Sequence, residues 1–239
     1  MKPSLDDLKI KIFADGADLG GMLEMSSKPY IRGLTTNPTL MRKAGVTDYK
    51  QFAHDVLAKI VDKPISFEVF SDNLEEMKFQ AAEIASWGEN VFVKIPITNS
   101  LGVSTAMVIE HLVLNKIKVN VTAIMTTEQV KTVASLLNPE IPSYVSVFAG
   151  RIADTGRNPL PMMIEAIQIL KSNVKAELIW ASPRELLNVF QADEIGCQVI
   201  TATSEILNKL DLIGHDLNEY SLETVQMFRR DALSSNFSI

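Results

Sequence analysis

The amino-acid sequence predicts an α/β protein: a single (β/α)₈ barrel, or TIM barrel, with an additional C-terminal helix. Eight short β-rich runs follow one another along the 239 residues, and helical patterns separate most of them. The runs are mostly apolar rather than strictly alternating, which is typical of parallel strands covered on both faces. About eight strand–helix units in a chain of this length match a barrel of ~250 residues.

Each run is a predicted strand, and the segments between them carry the predicted helices. In chain order the strands occupy residues 11–15, 33–36, 64–70, 91–97, 118–124, 144–149, 177–182 and 198–203. The clearest helical patterns occupy residues 48–62, 73–88, 126–137 and 162–172. No linker rich in Pro, Gly or Ser divides the chain, so we expect one domain over residues 1–239. The helix and tail at 221–239 exceed what a barrel needs, and we expect them to pack on a neighbouring subunit.

An open, doubly wound sheet is the competing architecture. Such a sheet usually carries a Gly-rich, phosphate-binding turn after its first strand. Residues 13–21 are Gly-rich, but their spacing does not match that turn, and Asp15 and Asp18 would repel a pyrophosphate. The barrel is therefore favoured.

Composition and charge narrow the functional classes. The chain has 23 Lys and Arg against 29 Asp and Glu, a formal net charge of −6, and no basic block, so we expect no nucleic-acid partner. The single Cys197 predicts no internal disulfide, and the His and Cys spacing predicts no metal site. Without a signal-like N-terminus or an apolar run of ~18 residues, we expect a cytoplasmic protein with no membrane partner.

Lys94 is the most distinctive candidate for chemistry. Catalytic groups of a barrel lie at the carboxyl ends of its strands, and Lys94 has apolar neighbours on both sides within the run 91–97. A buried cation is costly unless it is paired or neutral, and a neutral amine is a nucleophile toward ketones. Lys94 is thus either a nucleophile or one half of a buried ion pair with Asp15 or Glu68.

Other polar side chains follow the same logic. Asp15 and Glu68 end two different strands and could divide proton transfer between them, or serve only structure. Asn37 is either a site residue or a turn residue. Asn120 and Thr122 alternate with apolar residues, which indicates either that they line a water-filled pocket or that they are hydrogen-bonded polar groups within the core.

The seventh strand is followed by a candidate anion site. Ser182, Pro183 and Glu185 have the spacing of a capping box, which predicts that a helix begins there. Because a helix N-terminus after the seventh strand often binds phosphate in barrels, and Arg184 offers a bidentate fork, we expect an anion at this end. Arg151 would be a second cation at the same mouth.

Seven motifs in this order resemble those of the transaldolase family, specifically its short subfamily that includes fructose-6-phosphate aldolase. They are FADGAD, GLTTNP, ISFEV, VFVKIPIT, NVTAI, SVFAGRIAD and ASPR, and they span Phe13 to Arg184, most of the predicted barrel. The resemblance implies a TIM barrel without metal or organic cofactor, acting on small sugar phosphates as a homo-oligomer, a pentamer or decamer.

The resemblance also implies a role for each residue. Lys94 would form a Schiff base with the C2 carbonyl of a ketose, Asp15 would take the proton of the C4 hydroxyl, and Glu68 and Thr122 would hold a proton-shuttling water. The implied substrate-binding set comprises Asn37, Asn120 and Ser146 for the hydroxyls of the three-carbon unit, Arg151, Ser182 and Arg184 for the phosphate, and Thr35 and Phe148 from the same motifs.

Two positions favour group transfer over simple cleavage. The aldolase branch tends to carry Gln at the position of Glu68 and Tyr at the position of Phe148. We therefore expect a transaldolase of the pentose phosphate pathway, moving a dihydroxyacetone unit between sugar phosphates. A lyase that releases dihydroxyacetone is the alternative, and a non-catalytic sugar-phosphate-binding barrel is a more remote one. Because Pro183 replaces the family's aromatic residue, a sulfonated ketose is also an open possibility.

Overall fold

The computed structural model describes residues 4–235, and its eight parallel strands close into one barrel in chain order. The strands are β1 (Lys11–Asp15), β2 (Ile31–Thr35), β3 (Ile65–Glu68), β4 (Val91–Pro96), β5 (Val119–Ile124), β6 (Ser143–Val147), β7 (Ala176–Trp180) and β8 (Val199–Thr203). All eight predicted strands are present, with ends that differ by up to two residues. The predicted TIM barrel is confirmed, and the open sheet is excluded.

Helices follow the strands around the outside of the barrel. They are α1 (Leu19–Ser27), α2 (Pro38–Lys43), α3 (Tyr49–Leu57), α4 (Leu74–Ala85), α5 (Ala106–Leu114), α6 (Thr127–Leu136), α7 (Ala149–Asp154), α8 (Leu160–Leu170), α9 (Leu187–Glu194), α10 (Ser204–Leu207) and α11 (Leu217–Ser234). The four predicted helices correspond to α3, α4, α6 and α8. The largest error in predicted helix length concerns α3, which ends at Leu57 and not at residue 62.

Aromatic rings fill the amino end of the barrel interior. The ring of Tyr144 lies 5.5 Å from that of Phe13 and 4.4 Å from that of Phe92, measured between centroids. Gly33 makes room for them, because a Cβ there would lie 2.5 Å from the Phe13 ring. Aromatic rings thus close the amino end of the interior, and the polar side chains of the predicted site lie above them.

Strand register brings the polar side chains to one level at the carboxyl end. Asp15 on β1 lies beside Thr35 on β2. Lys94 on β4 lies between Glu68 on β3 and Asn120 on β5. Parallel strands in register therefore place side chains that are distant in sequence around one opening.

The last helix lies apart from the barrel core. Helix α11 begins at Leu217, four residues before the predicted start, and none of its residues is buried. Of the tail predicted with it, residues 236–239 lie outside the described part of the chain. None of the helices within residues 4–235 is both long and apolar enough to span a membrane.

Candidate active site

A cavity of about 600 Å³ opens at the carboxyl end of the strands. Every predicted site residue except Asn120 lines it: Asp15, Thr35, Asn37, Glu68, Lys94, Thr122, Ser146, Phe148, Arg151, Ser182 and Arg184. Asn120 lies just beneath the surface of the cavity, hydrogen-bonded to Ser146. The structure therefore gathers residues from seven strands and their following loops into one site.

Lys94 lies at the bottom of this cavity and is 6% exposed. Its Nζ is 3.0 Å from Glu68 Oε2 and donates a hydrogen bond of 2.9 Å to the carbonyl oxygen of Thr36. Of the two carboxylates considered as ion-pair partners, Glu68 is the one in contact. The pair does not exclude a nucleophilic role, because a carboxylate in contact with an ammonium group can also accept its proton.

Asp15 is held by two donors on the opposite side of the opening. Thr35 Oγ1 donates to Asp15 Oδ1 at 2.8 Å, and Asn37 Nδ2 donates to Oδ2 at 3.1 Å. Burial raises the pKa of Asp15 above its ordinary value, although the charge of Lys94 and the Thr35 hydrogen bond act in the opposite direction. A carboxyl group with this pKa shift is suited to proton transfer.

Asn37 both caps a helix and contacts Asp15. Its Oδ1 accepts a 2.9 Å hydrogen bond from the backbone N–H of Leu40 and so caps α2, with Pro38 in the first turn. Its Nδ2 remains available for Asp15. The start of α2 therefore fixes the orientation of an amide that holds the Asp15 carboxylate.

A buried polar chain crosses the neighbouring strands. Ser146 Oγ donates to Asn120 Oδ1 at 2.7 Å, and Asn120 Nδ2 donates to Ser66 Oγ at 3.0 Å. Beside this chain, Thr122 Oγ1 is buried and has no hydrogen-bond partner among residues 4–235. Buried hydroxyls are normally paired, so Thr122 is suited to bind a water molecule or a substrate atom in the cavity.

The predicted capping box at Ser182 is wrong. Helix α9 begins at Leu187, and Ser182 has a φ of 61°, in the left-handed region rather than the extended one of an N-cap. The backbone N–H groups of Arg184 and Glu185 donate instead to Asn188 Oδ1, at 2.8 and 3.2 Å. These two amides are already satisfied and are therefore not available to an anion.

The guanidinium of Arg184 is already hydrogen-bonded to other side chains of the protein. Its Nε donates to Asp154 Oδ1 at 2.8 Å, its Nη2 bonds to the other oxygen of Asp154, and its Nη1 donates to Ser182 Oγ at 2.9 Å. Arg151 makes no ion pair among residues 4–235, and its guanidinium lies 5.7 Å from the Phe148 ring centroid. The hydrogen-bond donors of the Arg151 guanidinium are therefore available to a ligand at this mouth.

Several groups that support the site are not among the residues predicted from the sequence. Thr201 lies with its Oγ1 2.6 Å from that of Thr35, and the Tyr49 hydroxyl donates to the carbonyl oxygen of Glu68 at 3.0 Å. The alternation that identified Asn120 also applies to Ser66 and Thr201, which could have been found. Tyr49 carries no such signal, because only folding brings α3 to the end of β3.

Within the described residues 4–235, no three His, Cys, Asp or Glu side chains cluster closely enough to hold a metal ion. The side chains that line the cavity supply an amine, three carboxyl groups, hydroxyls, an amide and two guanidinium groups.

Comparison with known proteins identifies similar chains. Residues 12–239 match the family model described as "Transaldolase/Fructose-6-phosphate aldolase". A "Probable transaldolase" of Caldicellulosiruptor saccharolyticus is 34% identical over 216 residues, which cover 90% of this chain and 94% of that protein. Another of Methanococcus maripaludis is 32% identical over 215 residues, with the same coverage.

Solved structures support the fold alone. A putative phosphonomutase from Burkholderia cenocepacia J2315 superimposes with a TM-score of 0.55 at 11% identity, covering 93% of this chain and 94% of that chain. At this identity the likeness concerns the barrel architecture and not the reaction.

Proposed function

Because the chain belongs to the transaldolase/fructose-6-phosphate aldolase family, we propose that it is a transaldolase that moves a dihydroxyacetone unit from a ketose phosphate to an aldose phosphate. The observation that carries the proposal is Lys94 Nζ, buried in the mouth of the barrel and 3.0 Å from a carboxylate oxygen of Glu68. Schiff-base chemistry requires an amine, an adjacent proton acceptor and a second group that transfers protons. Lys94, Glu68 and the carboxyl group of Asp15 across the cavity meet these requirements.

In the first step the neutral Lys94 amine attacks the C2 carbonyl carbon of the ketose. Nζ gives up two protons, one to Glu68 before the attack, which makes the amine neutral, and one after it. The water molecule held by Glu68 and Thr122 passes both to the C2 oxygen, which leaves as water. The product is a protonated imine. The unpaired Oγ1 of Thr122 in the cavity supports the placing of this water.

The second step breaks the C3–C4 bond. Asp15 accepts the proton of the C4 hydroxyl, the C4 carbon becomes an aldehyde, and the electron pair of the broken bond moves to the imine, which becomes an enamine. The reverse sequence adds the three-carbon enamine to an acceptor aldehyde. The raised pKa of Asp15 supports this role, because Asp15 must both take and return a proton.

The remaining side chains would bind the sugar. We assign Asn37, Asn120 and Ser146 to the hydroxyls of the three-carbon unit and Thr35 and Phe148 to the cavity wall that supports them. The terminal phosphate would lie at the mouth beside Arg151, Ser182 and Arg184. Since Arg184 already bonds to Asp154, Arg151 would supply most of the charge. A sulfonate has the same three acceptor oxygens and remains an alternative terminal group.

Group transfer is favoured over cleavage to free dihydroxyacetone by one side chain. Phe148 lines the cavity and has no proton to donate to a water molecule, so the bound three-carbon intermediate should persist until an aldehyde arrives. A tyrosine in its place would supply a hydroxyl and promote hydrolysis.

An acceptor-dependence assay tests the proposal. Fructose 6-phosphate should be consumed rapidly only when erythrose 4-phosphate is present, and Lys94→Met should abolish this activity. Lys118→Met is the matched control, because Lys118 lies at the opposite end of the barrel, over the Phe92 ring. Equal turnover without acceptor would make the enzyme a lyase, and full activity of Lys94→Met would refute the Schiff base.

We further propose that the enzyme is a homo-oligomer, a pentamer or decamer, assembled in part through α11. Leu222, Val225 and Phe228 of this helix are 57%, 60% and 62% exposed, and such an apolar face on a terminal helix indicates an interface. Sedimentation velocity should show an oligomer that Val225→Asp dissociates and Gln226→Asp does not. A monomeric wild type would contradict this.

A further inference from the structure

A second cavity lies at the amino end of the barrel, on the face opposite to Lys94. It has a volume of about 780 Å³, and we call it the amino-face cavity; the residues that matter for its chemistry are Lys9, Phe13, Tyr30, Arg32 and Tyr144. The transaldolase chemistry proposed above uses none of them. The cavity therefore needs its own explanation.

The segment before β1 forms one wall of this cavity. Its first turn, Leu5–Asp7, is a 3₁₀ helix, and the backbone N–H groups of Lys9 and Ile10 both donate to Asp193 Oδ1, at 2.7 and 2.8 Å. The family match begins only at residue 12. The wall is thus fixed in place by α9 and is built from chain outside the matched region.

The rim of the amino-face cavity carries excess positive charge. Lys9, Lys11 and Arg32 line it, against Asp6 as the one lining acid. Lys11 is neutralised by Glu177 at 2.7 Å, whereas Lys9 and Arg32 make no ion pair among the described residues 4–235. Two cations next to a concave apolar surface favour an anion with an apolar body.

The floor of the cavity contributes an unused donor. Tyr144 is only 6% exposed, its ring packs against Phe13 and Phe92, and within residues 4–235 its hydroxyl has no hydrogen-bond partner. Burial raises the pKa of Tyr144, so the hydroxyl keeps its proton at neutral pH and can donate it in a hydrogen bond. Because Tyr144 lines the cavity, its hydroxyl is available to donate to a ligand there.

We propose that the amino-face cavity binds a small organic anion with a flat apolar body, an aryl carboxylate or aryl phosphate. The anionic group lies between Lys9 and Arg32 at the rim, and the ring lies against Tyr30. The Tyr144 hydroxyl donates to an oxygen of the ligand. This site is separate from the sugar-binding mouth and does not depend on the function proposed for it.

Calorimetric titration of the intact protein with benzoate and with phenyl phosphate tests the proposal. At least one of them should bind saturably with a Kd below about 10 mM, and the neutral benzyl alcohol should bind at least about tenfold more weakly. Tyr144→Phe keeps the ring and removes only the hydroxyl, and it should weaken binding about fivefold or more. Arg32→Gln should weaken binding to a similar extent.

Two controls locate the site. Lys175→Gln removes a cation just before β7, at the same end of the barrel but outside the cavity, and should leave binding unchanged. Arg151→Gln removes the available cation of the opposite mouth and should also leave it unchanged. Absence of saturable binding by both anions would overturn the proposal. So would binding that is insensitive to Tyr144→Phe and Arg32→Gln, or binding lost in Arg151→Gln, which would place the anion in the sugar site.

Discussion

At the scale of single residues, Lys94 and Asp15 differ in what surrounds them. Lys94 contacts a carboxylate and a carbonyl oxygen, both of which accept protons or hydrogen bonds. Asp15 accepts hydrogen bonds from a hydroxyl and an amide, yet burial still raises its pKa. Two groups in one cavity thus have environments that suit one to attack carbon and the other to transfer protons.

The pKa of Asp15 predicts the acid limb of the pH profile. Cleavage requires the ionised carboxylate, so kcat/KM for the donor should rise with pH across a value above the ordinary 3.8 of an aspartate. Asp15→Asn should lower kcat by about 10²- to 10⁴-fold and remove this limb. A limb at or below the ordinary value, or one retained in Asp15→Asn, would assign it to another group.

The same shift has a consequence for stability. Because the folded state holds the proton of Asp15 more tightly than the unfolded state does, this group's contribution to stability is fully present below pH 3.8. It is lost as the pH rises through the folded-state pKa. Denaturant unfolding should therefore show wild type losing stability relative to Asp15→Asn over that interval, and a relative gain would contradict the direction of the shift.

Phe148 offers a test of group transfer against hydrolysis. Phe148→Tyr adds one hydroxyl to the cavity wall, where the proposed catalytic water would lie, and should raise acceptor-free release of dihydroxyacetone by about tenfold or more. Phe148→Leu replaces the ring with a smaller apolar side chain and adds no hydroxyl, so it should not raise that release. An equal increase in both variants would show that lost packing, not proton donation, admits water.

At the scale of elements, the turn after β7 depends on close contact with α7. A Cβ at Gly150 would lie 1.6 Å from the carbonyl oxygen of Ser182, so only glycine allows the two backbones to approach. Ser182 itself takes a left-handed φ of 61°. This contact holds Ser182 and Arg184 beside Arg151 at the proposed anion site.

Gly150→Ala should therefore separate α7 from the turn. We expect a loss of about 3 kcal/mol in the free energy of unfolding, from overpacking against backbone, and a raised KM for the phosphorylated donor. Gly20→Ala in α1 is the matched control, because its Cβ would meet nothing closer than 3.5 Å and alanine favours helix. Equal stability of the two variants, measured by denaturant unfolding, would contradict the predicted contact.

This turn also shows where prediction from sequence stopped. The spacing of Ser182, Pro183 and Glu185 satisfies a local rule for a helix start, but Asn188 Oδ1 accepts hydrogen bonds from the N–H groups of Arg184 and Glu185, and the helix begins only at Leu187. The pairing of Arg184 with Asp154 is likewise a contact between two loops. Local patterns do not record such competing partners, and a folded backbone is needed to see them.

At the scale of the whole molecule, closure of the barrel was the predictable part. Eight apolar runs predicted eight strands, and the parallel arrangement then placed Asp15, Glu68 and Lys94 at one end, as found. The alternation of polar and apolar residues in β5 was enough to find Asn120 and Thr122. The amino-face cavity was not predictable, because its wall is a short segment whose position depends on Asp193.

Borohydride reduction in the presence of fructose 6-phosphate, followed by peptide mass spectrometry, tests the central claim most directly. A three-carbon adduct should appear on the peptide that contains Lys94, and it should be absent from Lys94→Met and from samples without sugar. An aldehyde acceptor added before the reduction should remove the three-carbon unit from Lys94 and so lower the yield of the adduct. This loss would identify the bound unit as the one that is transferred. Failure to label Lys94 while the sugar is turned over, or labelling of another lysine, would contradict the account.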